Sequence, residues 1–247
     1  MSVFPRILSM LVVAPACLAL GCAAPPASEA PPASEPPAEE RAESAVPFFD
    51  GESLAGWEGN PELFRVEEGA VVAGTLSDEI EQNEFLCTTA EYGDFELHLQ
   101  ARTSREDANG GIQFRSRRTP DSPEVVGYQA DIGLLGGEPP RNIWGALYDE
   151  ARRRELLAVP DQDELAKVFR PGDWNDYRIR AEGPRIQIWI NGYQTVDYTE
   201  TDPEIELEGI IGLQVHRGPP AEVRYRNFEI EVLGGASAAD ESGESEG

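Results

Sequence analysis

Several stretches of the chain alternate strictly between apolar and polar side chains. In residues 95–102 the apolar positions are Phe95, Leu97 and Leu99, and residues 111–117 follow the same pattern. A period of two places alternate side chains on one face of an extended strand, so it predicts β-structure rather than helix. The sequence therefore predicts a fold of strands that each bury one face.

Local turn signals support this prediction. The dipeptide Asn191-Gly192 separates the alternating run at 185–190 from a second run at 193–198. Asn-Gly favours a type I′ turn, which requires positive φ at both central residues and joins two antiparallel strands. Residues 161–169 are the one segment with a helical pattern, and they predict a single short helix.

The number and spacing of these runs indicate the fold class. About a dozen short strands with turn signals every roughly 8–12 residues are typical of a β-sandwich or β-barrel. Strands do not alternate with helices, which argues against Rossmann and TIM-barrel folds. The glycine-rich segment 133–137 does not precede a predicted helix, so it gives no support for a phosphate-binding loop.

The first 22 residues have the pattern of an export signal with a lipid-attachment site. Arg6 precedes the predominantly apolar segment 7–20, which is shorter than the roughly 20 residues that a spanning helix needs. Leu-Ala-Leu-Gly-Cys at 18–22 resembles a bacterial lipobox, which predicts acylation of Cys22. The alternative is an ordinary signal peptide, cleaved after Ala23 or Ala24.

Composition then divides the rest of the chain. Residues 23–45 are almost entirely Pro, Ala, Ser and Glu, a composition that predicts an extended, disordered tether. Residues 46–233 form the predicted domain, and the acidic segment 234–247 is a second predicted disordered tail. The expected product is an exported periplasmic or cell-surface lipoprotein, anchored at Cys22.

The charge of the chain limits its partners. There are 20 Lys and Arg residues against 46 Asp and Glu residues, a formal net charge of −26. Such an acidic protein is repelled by nucleic acid and by anionic membrane surfaces and is expected to bind them poorly. The lipid anchor is therefore the one expected membrane contact. Cys87 is the one cysteine in the predicted domain and is expected to be a small buried residue.

Alternation also assigns polar side chains to a common outward face. Taken strand by strand, they are Gln113 with Arg115, Gln129 with Asp131, Tyr148 with Glu150, and Gln214 with His216. Planar amides, guanidinium groups and carboxylates match sugar hydroxyls, and aromatic rings stack on the apolar face of a sugar. The alternative is that these residues are simply solvated. His216 favours a site, because it ends a strand immediately before a loop.

A set of short segments follows in a characteristic order along the domain. The domain opens with Phe-Phe-Asp-Gly-Glu-Ser-Leu-Ala-Gly-Trp at 48–57, and the later segments are 92–97, 109–115, 127–132, 147–153, 172–175, 189–192 and 212–216. Taken together, these segments resemble the 3-keto-disaccharide hydrolase domain family, long catalogued as a domain of unknown function. The departures are small: Asp50 replaces the usual Asn, and Gly110 the usual Ser.

The resemblance implies a concanavalin-like jelly-roll β-sandwich of two antiparallel sheets. It also implies cleavage of glycosides that carry a ketone at C3. That ketone acidifies the C2 proton; a base removes it, the enolate expels the group on C1, and water adds. A partner sugar oxidoreductase is a candidate source of the ketone.

Within that chemistry, Asp131, Glu150 and His216 are expected to share the acid and base roles. Arg115 is expected to stabilise the enolate, with Arg152 in reserve. The residues expected to hold sugar hydroxyls are Asn109, Gln113, Gln129, Trp144, Tyr148, Arg152 and Gln214. No metal or other cofactor is expected; the alternative is a divalent metal held by His216 with Asp131 or Glu150.

Two other functions fit the same fold. A non-catalytic carbohydrate-binding sandwich on the cell surface would need the aromatic groove but not the carboxylates. A structural envelope lipoprotein would bind no saccharide.

Overall fold

The alternating segments form strands in the protein, and one helix interrupts them. The computed structural model describes residues 46–234. The elements in chain order are β1 Val46–Pro47, β2 Trp57–Glu58, β3 Phe64–Glu67, β4 Ala70–Thr75, β5 Glu84–Tyr92, β6 Phe95–Thr103, β7 Gly110–Arg118, β8 Val125–Ile132, β9 Leu134–Leu135, β10 Arg141–Asn142, β11 Leu147–Glu150, β12 Leu156–Ala158, α1 Gln162–Val168, β13 Asn175–Glu182, β14 Arg185–Ile190, β15 Tyr193–Thr199, β16 Gly209–Val215 and β17 Ala221–Val232.

The strands form two large antiparallel sheets, which confirms the predicted sandwich. One sheet has the order β15-β14-β13-β6-β17-β4-β3, with β1 paired to β17. The other has the order β12-β11-β8-β7-β16-β5-β2, and β9 and β10 form a separate two-stranded hairpin. In each sheet, central neighbours such as β6 with β17 and β7 with β16 are distant in sequence, as expected for a jelly roll.

The local signals are confirmed where the structure tests them. Asn191 and Gly192 have φ values of 49° and 85°, as a type I′ turn requires. Helix α1 occupies the predicted segment, and the Asp161 side chain caps it by accepting from the backbone N–H groups of Asp163 and Glu164, both at 3.0 Å.

The main core lies between the two sheets. Phe95, Leu97 and Leu99 point into it as predicted, and Phe95 meets the ring of Phe114 edge-on. Cys87 is completely buried in a smaller cluster with other apolar side chains. Burial raises the pKa of the Cys87 thiol to about 11, so it remains protonated and unreactive at neutral pH.

The predicted signal segment at 1–22, the tether at 23–45 and all but the first residue of the tail at 234–247 lie outside the described residues. Between residues 46 and 234, no helix has the length and apolarity needed to cross a membrane.

Candidate functional site

The outward face of the seven-stranded sheet carries a groove. Its main hollow has a volume of about 420 Å³, and a second hollow of about 370 Å³ adjoins it. Both are lined by Asn83, Glu150, Arg154 and His216. The main hollow is also lined by Asn109, Gln129, Asp131, Leu135, Ile143, Tyr148, Glu155 and Leu156. This size and mixture of side chains suit a small polar ligand such as a saccharide.

Asp131 lies on β8 in the floor of the groove, where the backbone is fixed on both sides. Its carbonyl oxygen accepts from the Tyr177 hydroxyl at 2.6 Å and from the Gly145 N–H at 2.9 Å. Its carboxylate accepts from Gln129 Nε2 at 2.5 Å. Burial raises the pKa of Asp131 to about 7, the Gln129 hydrogen bond opposes the rise, and Glu150 adds to it. A carboxylate with that pKa is a competent base near neutral pH.

A chain of buried polar side chains leads to Asp131. The hydroxyl of Ser116 donates to Gln113 Oε1 at 2.8 Å, and Gln113 Nε2 donates to Gln129 Oε1 at 2.6 Å. Gln129 then donates to Asp131, so each amide has one fixed orientation. All four side chains are buried. The chain presents an N–H donor to the carboxylate without placing a positive charge beside it, so the carboxylate remains basic.

A glycine provides the space for this chain. Gly111 lies opposite Asp131 on β7, and a Cβ atom there would overlap the side-chain amide carbon of Gln129. Any other residue would therefore displace the amide that holds the Asp131 carboxylate.

Glu150 ends β11 at the edge of both hollows. Burial, with a contribution from Glu124, raises its pKa, and Arg154 opposes the rise. The turn that follows has left-handed φ values of 58° at both Ala151 and Arg154, and the Arg154 N–H donates to the carbonyl of Asp149 at 2.9 Å. Left-handed non-glycine residues carry strain and are concentrated at functional sites. The turn places the Arg154 side chain in the groove beside Glu150.

His216 follows β16 on the opposite side of the groove. Its backbone N–H donates to the carbonyl of Asn109 at 3.1 Å, and Nδ1 lies 2.7 Å from the carbonyl oxygen of Arg217. Because a carbonyl oxygen only accepts, Nδ1 carries the proton and donates it. The Arg217 N–H donates in turn to Asn83 Oδ1 at 3.0 Å. The ring is thereby oriented, and Nε2 remains for a ligand.

Gln214 lies two residues before His216 and is completely buried beneath the groove. Neither its amide nitrogen nor its amide oxygen has a hydrogen-bond partner of normal geometry among the described residues. A buried amide without a well-formed hydrogen bond is costly, and the polar neighbour that the Gln214 amide affects is Glu150, where it opposes the rise in pKa caused by burial.

The predicted position of Arg115 is wrong. A bulge in β7 between Phe114 and Arg117 breaks the alternation, and Arg115 has a left-handed φ of 46°. Its guanidinium therefore lies away from the groove, where it donates to Asp94 at 2.8 Å and to two main-chain carbonyl oxygens. Arg115 joins the two sheets and cannot stabilise an enolate bound beside Asp131.

Two other candidates also lie outside the groove. Trp144 is 3% exposed and packs in the core against Phe169 and Tyr177, with ring centroids 5.0 and 6.0 Å apart. The Arg152 guanidinium lies over the Tyr128 ring, 4.6 Å from its centroid, on the core side of the sheet. The irregular segments that carry both residues do not follow strand alternation. Six of the predicted residues line the groove: Asn109, Gln129, Asp131, Tyr148, Glu150 and His216. Gln113 and Gln214 lie on the same face of the sheet, but both are completely buried and line neither hollow, so the prediction that they contact sugar hydroxyls directly is wrong.

Sequence reasoning also missed groove residues. Arg154 belongs to the turn after β11, and Asn83 to the segment before β5. Alternation makes no prediction for either residue, because neither lies on a strand. The apolar lining residues Leu135, Ile143 and Leu156 come from a hairpin, a connecting segment and an edge strand. The one available signal was the proximity of Arg154 to the family-like segment 147–153.

Comparison with known proteins identifies the family and the fold. Residues 44–231 match the model of a family described as the 3-keto-alpha-glucoside-1,2-lyase-like domain. The chain belongs to this family. No curated protein matches the sequence significantly.

Solved structures resemble this 3-keto-alpha-glucoside-1,2-lyase-like domain in fold. A candidate glycosyl hydrolase from Parabacteroides distasonis is 26% identical with a TM-score of 0.55, and the match covers 76% of this chain and 99% of that chain. A second from the same organism is 17% identical with a TM-score of 0.57, covering 81% and 98%. A Bacillus subtilis protein with a galectin-like fold is 11% identical with a TM-score of 0.55, covering 76% and 96%. The domain is thus a β-sandwich whose fold resembles that of glycosyl-hydrolase-like and galectin-like proteins.

Proposed function

We propose that the protein cleaves glycosides whose sugar carries a ketone at C3, by removing the C2 proton and eliminating the group on C1. The observation that carries this proposal is Asp131: a buried carboxylate in the floor of an open groove, held by Gln129, with its pKa raised to about 7. The family description, a 1,2-lyase acting on 3-keto glucosides, gives independent support.

Asp131 acts as the base. Its carboxylate takes the C2 proton, and the electrons of the C–H bond form the C2–C3 double bond of an enolate whose charge lies on the former ketone oxygen. The C3 ketone makes that proton acidic enough for a carboxylate, and a base of pKa near 7 is largely ionised at slightly alkaline pH. Gln129 fixes the orientation of the carboxylate throughout.

The other polar groups serve the enolate and the leaving group. Arg154 is the donor on the groove wall that suits the enolate oxygen. His216 Nε2, which is an acceptor when Nδ1 carries the proton, suits a sugar hydroxyl. Glu150, whose pKa is raised by burial, retains its proton nearer to neutral pH than an exposed carboxyl. It donates that proton to the glycosidic oxygen as the C1–O bond breaks. Water then adds across the C1–C2 double bond, with hydroxyl to C1 and hydrogen to C2, and the net reaction is hydrolysis.

The decisive experiment follows C2 exchange and product formation with a 3-keto glucoside in D₂O. We expect the wild-type protein to exchange the C2 proton and release the alcohol, and Asp131→Asn to do neither. Asp163→Asn, at an exposed position on α1, is the matched control and should retain full activity. Cleavage by Asp131→Asn, or cleavage without C2 exchange, contradicts the proposal.

The same variant separates catalysis from binding alone. The alternative that the fold favours is a non-catalytic carbohydrate-binding module. In that case the wild type and Asp131→Asn would bind saccharides with the same affinity, and neither would turn over 3-keto sugars. A structural envelope lipoprotein would bind no saccharide.

A chelator arm in this assay addresses the divalent metal. Within residues 46–234, no group of three or more His, Cys, Asp or Glu side chains is arranged to hold a metal ion. Loss of activity with chelator, restored by a divalent cation, would support a site at His216 with Asp131 or Glu150. Unchanged activity would favour the metal-free mechanism above.

We also propose that the protein acts in the cell envelope, anchored through acylated Cys22, with a sugar oxidoreductase producing its keto substrate. The lipobox-like sequence and the Pro-rich segment after it support the anchor. Cys22→Ala should move the protein from the membrane fraction to the soluble fraction and abolish labelling by a fatty acid. An unchanged membrane fraction would contradict the anchor.

A further inference from the structure

The turn after β11 has one side in the groove and one side facing the core. Glu150 and Arg154 line the groove, whereas Asp149 is completely buried on the other face of the strand. Arg152 Nε donates to Asp149 Oδ2 at 3.1 Å, and Arg153 Nη1 lies 3.3 Å from the same oxygen. Two arginines therefore attach the core side of the turn to its own strand.

Arg153 also reaches a buried carboxylate that belongs to the opposite sheet. Its Nη2 donates to Oε2 of Glu200, the residue that follows β15, at 2.9 Å. The Tyr128 hydroxyl donates to the same oxygen at 2.6 Å, and the N–H groups of Thr201 and Asp202 donate to Oε1, both at 2.9 Å. Burial acts to raise the pKa of Glu200, but the hydrogen bonds, led by that of Tyr128, lower it to about 2. Glu200 is therefore an ionised and fixed partner for Arg153 at neutral pH.

The backbone of the turn requires such an anchor. Ala151 and Arg154 both have a left-handed φ of 58°, a conformation that a non-glycine residue keeps only where its surroundings hold it. Main-chain hydrogen bonds close the turn: the Arg152 N–H donates to the carbonyl of Glu150 at 2.7 Å, and the Arg154 N–H to that of Asp149 at 2.9 Å. The ion pair of the preceding residue then fixes the turn from the core side, and Arg154 is left directed into the groove.

We propose that the Arg153–Glu200 ion pair positions Arg154 for the enolate, so that a carboxylate of one sheet sets the geometry of a donor on the other. This inference rests on the proposed function, in which Arg154 faces the enolate oxygen. Arg153 lines neither hollow of the groove, so it acts through the backbone that it shares with Arg154. A donor that is fixed in place before the reaction stabilises the developing charge without the cost of reorganisation.

A double-mutant cycle with a 3-keto glucoside tests this role. We expect Arg154→Met to reduce kcat about 100-fold, as the loss of one donor to an oxyanion does. Arg153→Met should reduce kcat about tenfold and change KM less than about twofold, because a displaced Arg154 affects the enolate more than the bound ketone. The double variant should be no slower than Arg154→Met. Arg185→Met, which removes an exposed ion pair with Asp197, is the matched control and should retain full activity.

The cycle can contradict the inference in two ways. Losses that multiply in the double variant would show that Arg153 acts independently of Arg154. An increase in KM without a decrease in kcat would show that the pair does not serve the enolate. Glu200→Gln, which removes the charge and keeps an acceptor for Tyr128, provides a milder variant. We expect it to reduce kcat severalfold, and it replaces Arg153→Met in the cycle if that variant does not fold.

Hydrogen exchange gives a measurement that is independent of turnover. In Arg153→Met and Glu200→Gln, we expect the Arg152 and Arg154 amides to exchange at least about tenfold faster than in the wild type, with β7 and β16 still unexchanged over the same period. Unchanged protection of the turn would overturn the inference. If the turn loses protection but the wild type cleaves no 3-keto sugar, the proposed function fails and the anchoring of the turn by Glu200 stands.

Discussion

Replacing Asp131 with Asn should stabilise the protein at alkaline pH while removing its proposed base. The native state buries this carboxylate, which raises its pKa from 3.8 to about 7. The native state thus binds the Asp131 proton more tightly than the unfolded chain does. The associated stabilisation is complete below pH 3.8 and is lost as the pH rises toward 7. Asn has no charge to bury and can accept from Gln129 through its own oxygen.

The size of the effect follows from the pKa. Ionising Asp131 in the native state therefore lowers the free energy of unfolding of the wild type by about 4 kcal/mol at pH 8 and by about 2 kcal/mol at pH 5. The free energy of unfolding of Asp131→Asn should therefore exceed that of the wild type by an amount that grows by about 2–3 kcal/mol between these pH values.

Urea denaturation of both proteins at pH 5, 6.5 and 8 measures this difference, because every other titrating group is common to both. The Asp163→Asn control, on an exposed surface, should change the free energy of unfolding by less than about 0.5 kcal/mol at each pH. A difference between the wild type and Asp131→Asn that does not vary with pH would refute the argument that Asp131 is a buried carboxylate with a raised pKa.

Three further substitutions test the surroundings of the base and the position of Arg115 away from the groove. Gln129→Leu removes the donor to Asp131, so the rising limb of kcat/KM against pH should move to higher pH and the unfolding free energy should fall by about 1–3 kcal/mol. Gly111→Ala should move the same limb in the same direction, because its methyl group displaces Gln129; Gly136→Ala, which meets nothing within 4 Å, should not. Arg115→Met should lower the unfolding free energy by about 3 kcal/mol, measured in urea, and leave kcat/KM of the folded protein within about twofold. A large loss of kcat with unchanged stability would instead restore Arg115 as a catalytic group.

Much of the fold could be predicted because it depends on local patterns. Alternation identified the long strands, and the Asn191-Gly192 turn and helix α1 lie at the predicted positions. Alternation also assigned the correct face to Gln129 and Asp131, since both lie on a regular stretch of β8. A side chain on a regular strand has one of two directions, and its apolar neighbours decide which.

The errors in the candidate site occur where the strand is irregular. The bulge in β7 turned Arg115 away from the groove, and the segments around Trp144 and Arg152 directed those side chains to the core side. Nothing in the local sequence indicates a bulge, because the extra residue is set by pairing with strands distant in the chain. Arg154 entered the site through a left-handed turn that the sequence does not announce.

The sequence by itself therefore determined the strands, their buried faces and the polar residues of the regular strands, because these depend on a period of two along the backbone. Only the tertiary structure decided the chemistry of the site. The pKa of Asp131 depends on burial by β7, β8 and the segment before β11 together, and its orientation depends on an amide chain that crosses two strands. Contacts between residues distant in sequence create both properties, and no local pattern contains them.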